Sequence, residues 1–74
     1  MMTDHELHKL IGRRLRARRR LMDLTLLEVA TACEISFQQV SKYEAGEAAI
    51  SISRLLKLSQ MLGVPIAYFI DPPA

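Results

Sequence analysis

Leu7, Ile11, Leu15, Arg19 and Met22 recur at steps of four, four, four and three, the spacing that gathers side chains into one stripe along a helix. The stripe predicts a first helix over residues 5 to 22, with Met22 on its inner side. Arg13, Arg16 and Arg20 project from the opposite side, while Arg14 and Arg18 flank the stripe. Arg19 alone is charged where an apolar side chain belongs, and a charge on a buried face needs a partner. The pattern therefore predicts an acidic side chain, brought from elsewhere in the chain, against Arg19.

The polar residues between the apolar runs read as helix starts and stops. Thr25 followed three residues on by Glu28 is a capping box, and Val29, Ala30 and Cys33 make the inner face of the helix it opens. Ser36 and Gln39 repeat the spacing at the next start, after the short connection "CEIS". Two short helices so joined make a helix-turn-helix, here over about residues 25 to 44. Ser51 caps a fourth helix whose expected buried side is Ile52, Leu55, Leu56, Ser59 and Leu62, stopped by Gly63 with Val64 as the following apolar residue. Pro65 opens a fifth, "PIAYFI", and residues 71 to 74, "DPPA", form a terminating tail. No segment reads as a strand. The expected fold class is all-α, five helices in a single domain over residues 1 to 74.

Within the third helix a turn of 100° per residue puts Val40 and Tyr43 on one side with Glu44 beside them, and Gln38, Ser41 and Lys42 on the other. Phe37 and Gln39 sit at the borders. Gln, Ser and Lys are the side chains that hydrogen-bond base edges and phosphates. This outer row is the candidate binding surface.

Composition narrows the reading further. A chain of 74 residues with one Cys supports one small core and no internal disulfide, which favours a reducing, cytoplasmic setting. The start "MMTDHELHKLIG" lacks the apolar region of a signal peptide, and no run approaches the ~20 apolar residues of a membrane helix, so a soluble, unprocessed protein is expected. The net charge of +2 is unevenly spread: residues 1 to 20 sum to +5 and the rest to −3. A basic surface of that kind suits a polyanion, and a solvated arginine face explains it equally well.

The pieces "IGRRLRARR", Ala30, "SFQQVSKYEAG" and "ISRLLKLSQMLGVP", in this order across residues 11 to 70, resemble the XRE family of bacterial and phage regulators, the group of the Cro and lambda-type repressors. The resemblance implies a lambda-repressor-like fold whose third helix lies in the DNA major groove. Carried onto this chain, it makes Gln38 the leading base contact, followed by Lys42, Ser41 and Phe37, with Arg13, Arg16, Arg20, Thr25 and Gln39 toward the backbone. It also implies that Arg19 pairs with Glu44. A homodimer on a palindromic operator follows, with Tyr68, Phe69 and Ile70 as dimer candidates and residues 1 to 8 as a second contribution.

Three positions depart from the family pattern. Leu26 stands where a polar residue commonly meets a phosphate, Glu34 where the turn usually has glycine, and Glu47 where a basic residue is common. His5 and His8 are spaced for a metal but lack a third ligand, so surface histidines are expected and no metal. Cys33, Met22 and Met61 are expected as core. No catalytic pair or phosphate loop is present, so neither an enzyme nor a cofactor or small-molecule ligand is expected. Two classes stay open: a sequence-specific DNA-binding regulator acting as a repressor, and a protein-interaction module on the same fold, such as an antirepressor or antitoxin-like partner.

Overall fold

The computed structural model describes residues 1–71, so the greater part of the expected tail, residues 72 to 74, lies outside the described residues. Five helices follow one another: α1 (Asp4–Leu21), α2 (Leu26–Cys33), α3 (Phe37–Glu44), α4 (Ile52–Leu62) and α5 (Ala67–Ile70). The described residues contain no strand. α1 packs on α3 and α5, and α2 packs on α3 and α4, around a core of Leu15, Val29, Val40, Leu58, Leu62 and Phe69.

The starts are as local chemistry dictates. Thr3, Thr25, Ser36 and Ser51 cap the first four helices, each accepting from the amide three residues on. At Thr3 and Thr25 the reciprocal bond from Glu6 and Glu28 closes a full capping box, and it holds both carboxyls below their ordinary range through hydrogen bonds from the cap. At Ser36 only the first half forms, because Gln39 does not reach back.

The stops share one geometry. Leu24 bonds back to Arg19, Ile35 to Ala30, Glu47 to Lys42 and Val64 to Ser59, the long closing bond of a Schellman motif, after a residue with positive φ. Two of those residues are glycines, Gly46 and Gly63, for which the conformation is free of Cβ strain. The other two are Asp23 at 55° and Glu34 at 58°, so the turn of the helix-turn-helix is left-handed without glycine. Leu24, Ile35 and Val64 then fold against the core, and their burial offsets the cost.

Several expected core positions are corrected. Met22 follows the last residue of α1 and is exposed, since the chain has already turned away. Ile52 is 81% exposed and Leu56 is exposed too, while Leu58 is fully buried. The buried stripe of α4 is Leu55, Leu58, Ser59 and Leu62, which places Ile52 and Leu56 one side off its centre. Met61 is partly buried against the core. α5 is a single turn starting at Ala67 rather than at Pro65, entered through bonds from Tyr68 to Pro65 and Phe69 to Ile66. Phe69 is 0% exposed, which removes it as a surface residue of the monomer; Ile70 is exposed and Tyr68 half-buried.

Cys33 is a buried free thiol, and burial raises its pKa, so it stays protonated and behaves as a small apolar residue. His5 is exposed and His8 half-buried, and no group of three ligating side chains exists among the described residues.

Candidate nucleic-acid interface

The surface is built on α3, and what fixes α3 is its inner side. Val40 and Tyr43 are buried, and the Tyr43 hydroxyl accepts from Arg54 Nη1 at 3.2 Å, joining α3 to α4. Gly12 of α1 lies directly against the end of α3: a Cβ there would come closer than 3.0 Å to the carbonyl oxygens of Tyr43 and Glu44. That close approach fixes α1 on α3 and was not legible in the sequence, since nothing local to Gly12 demands glycine.

Arg19 meets Glu44 in two places. Its Nε donates to Oε2 at 2.6 Å and its Nη2 to Oε1 at 3.0 Å, and Nη1 donates to the carbonyl of Leu24 at 2.9 Å. Both side chains are mostly buried, at 11% and 8% exposure, and the bidentate bond raises the Arg19 pKa so that it remains charged. The odd charge on the inner stripe of α1 thus ties that helix to the carboxyl end of α3 and to the turn before α2.

The outer row is free. Gln38, Ser41 and Lys42 are exposed, and Phe37, at 48%, stands with them at the amino end of α3. Gln39 is half-buried and its backbone amide donates to Ser36 Oγ. On the flank, Arg13, Arg16 and Arg20 are exposed. Thr25 is exposed at the start of α2 with its hydroxyl oxygen engaged by the Glu28 amide. Leu26, the first residue of α2, is packed partly against the core, and Glu47 is exposed just after α3. Arg14 and Arg18 turn inward: Arg14 Nη1 donates to the Tyr68 carbonyl at 2.9 Å and Arg18 Nε to the Leu62 carbonyl at 2.8 Å.

A cleft of about 290 Å³ opens where α1, the start of α2 and the end of α3 converge, lined by Arg16, Arg19, Arg20, Leu26, Ser41 and Glu44. Ser41 lies far along the chain from Arg16 and Arg20, and the fold brings them to one place.

A family model described as "Helix-turn-helix" matches residues 15–69. The chain is 42% identical over 67 residues to an uncharacterized transcriptional regulator in the ATPase CF(0) region of Rhodospirillum rubrum, covering 90% of this chain and 62% of that protein. It therefore spans less than two thirds of the length of that relative. Among solved structures it resembles the clp gene regulator ClgR from Corynebacterium glutamicum, with a TM-score of 0.80 and 31% identity over 82% of this chain and 65% of that one. It also resembles the DNA-binding domain of BldD, with a TM-score of 0.79 and 31% identity over 93% of this chain and 99% of that one.

Proposed function

The chain belongs to the XRE-type helix-turn-helix family, and from that premise we propose that it is a sequence-specific DNA-binding regulator of transcription, a repressor that acts as a homodimer. The observation that carries this reading is the division of α3 into a buried side, Val40 and Tyr43, and an exposed row, Gln38, Ser41 and Lys42, held at a fixed angle by the Arg19–Glu44 pair. A rigid helix with free amide, hydroxyl and ammonium groups suits the major groove. Gln38 pairs in two places with adenine, Lys42 meets guanine or a phosphate, Ser41 a phosphate or a thymine methyl, and Phe37 packs on such a methyl. Arg13, Arg16, Arg20, Thr25 and Gln39 face the backbone, helped by the free amides at the starts of α2 and α3. One unit reads few base pairs, so two copies bind half-sites about 34 Å apart on a palindromic operator. Tyr68 and Ile70 remain the dimer candidates, and the setting is the cytoplasm.

Selection of bound duplexes from random DNA, followed by titration with salt, tests this reading. A palindromic motif and a steep loss of affinity with added salt are expected. No binding at low salt would sink it and leave the protein-interaction module. Gln38→Ala should relax the preference at one or two positions, worth about 1–3 kcal/mol of discrimination each. A uniform loss across all sequences instead would remove Gln38 from base readout.

A further inference from the structure

The chain has two tyrosines and two phenylalanines, and the fold holds all of them but one. Tyr43 and Phe69 are buried, and Tyr68 packs partly against the core with its ring edge-on to Phe69 at 5.2 Å. Phe37 is exposed and lies outside the core. The local tasks around it are met by its neighbours: Ser36 caps α3, and Ile35 is the apolar residue that closes the preceding turn onto the core. Phe37 is the first residue of α3, beside Gln38 and one turn before Ser41, so it opens a polar row with an apolar ring. Helical side chains lean toward the amino end, which carries that ring past the start of α3.

A phenyl ring has no donor or acceptor, and the base edges of the major groove offer it one apolar group, the methyl on C5 of thymine. Cytosine presents its own C5 at the same point of its edge, and methylation there puts the same methyl in the same place. The ring has no group with which to tell the thymine O4 acceptor from the cytosine N4 donor. We propose that Phe37 makes this chain a reader of cytosine C5 methylation: at the base pair under the ring, the methyl of 5-methylcytosine is taken as the methyl of thymine is, and unmodified cytosine is disfavoured. The inference rests on the DNA-binding reading above and goes beyond it by naming a modified base as ligand. Gln38, Ser41 and Lys42 meet hydrogen-bonding groups that C5 methylation leaves unchanged, so the response to the mark belongs to Phe37. A site with cytosine at that pair is then bound or released as its methylation changes, with no effector acting on the protein.

The test uses the full chain and the duplex recovered by selection. Thymines are first replaced one at a time by uracil, and the pair that responds is then rebuilt as cytosine–guanine, unmodified and C5-methylated. Each comparison changes one methyl and leaves the hydrogen-bonding edges as they were. The wild type should lose about fourfold in affinity at one thymine per bound subunit and gain about as much from methylation of cytosine there, the effect of burying one methyl group. Phe37→Gln should respond to neither change, with a melting temperature close to that of the wild type because the ring lies outside the core. Phe37→Leu, apolar but smaller, should keep part of both responses, and it carries the comparison if the first variant loses folding or binding. If no thymine replacement matters, or if Phe37→Gln responds as the wild type does, the methyl is not read at Phe37 while DNA binding stands. If uracil weakens binding but methylation of cytosine gains nothing, the ring serves thymine alone and the proposal is overturned. If the wild type binds no duplex at low salt, both readings fall.

Discussion

The arginines on the two sides of α1 are chemically identical and do opposite things. Arg14, Arg18 and Arg19 turn inward and donate to groups near the carboxyl ends of other helices: the Tyr68 carbonyl in α5, the Leu62 carbonyl in α4 and the Glu44 carboxylate in α3. At Leu62 and Glu44, the last residues of α4 and α3, a cation also suits the negative end of the helix dipole. Arg13, Arg16 and Arg20 are exposed and make no hydrogen bond to the described residues. A run of arginines therefore overstates the charge available to a polyanion, because half of it joins the helices together.

That contrast breaks most sharply at Arg19. Arg19→Met leaves the Glu44 carboxylate buried and unpaired, and it should cost about 3–5 kcal/mol in denaturant unfolding. Arg19→Met/Glu44→Leu should recover most of that loss; if it does not, the pair stabilises by more than mutual neutralisation. Gly12→Ala tests the same contact between α1 and α3 from the backbone. Alanine is the better helix former by about 1 kcal/mol, yet the crowding at the Tyr43 and Glu44 carbonyls should produce a net loss of about 1–3 kcal/mol. A neutral or stabilising result would mean that α1 can back away from α3 at little cost.

Smaller effects sharpen the distinction. Arg14→Met and Arg18→Met should each lower stability by about 1 kcal/mol, whereas Arg13→Met should stay within about 0.5 kcal/mol, all read as shifts in the denaturation midpoint. Equal costs at all three would erase the difference between the two sides. The mildest perturbation is acid. Glu6 and Glu28 have folded pKa values below the ordinary 4.5, so their capping contribution is complete above that value and is lost as pH falls through the lowered one. Circular dichroism below about pH 4 should show fraying at the starts of α1 and α2, and Glu28→Gln should remove the part of that pH dependence that belongs to α2.

Much of this was readable in the chain because it is local. Caps three residues apart, a glycine stop at Gly63 and the two sides of α3 follow from helix geometry alone, and the charge misplaced at Arg19 announced a distant acid. What escaped depends on neighbours. α4 is apolar on more than one side, so periodicity alone could not choose Leu58 over Leu56; the position of α2 decides. Met22 lost its place because the Schellman turn at Asp23 ends α1 just before it. The roles of Gly12, Arg14 and Arg18 need the packing of α1 on α3, α4 and α5, and the cleft exists only once three helices meet. The identities in the outer row of α3 were legible, while their arrangement beside Arg16 and Arg20 was not.

The freedom of that outer row has a consequence for inheritance. Phe37, Gln38, Ser41 and Lys42 are exposed, and none of the side-chain hydrogen bonds that hold α3 in place involves them. A lineage could rewrite all four while keeping Val40, Tyr43, Glu44 and Gly12; on the base-readout reading proposed above, such single steps would open new addresses on a genome while leaving folding almost untouched. The helix is a type slug in a fixed press: the letters change, and the shank that seats them does not.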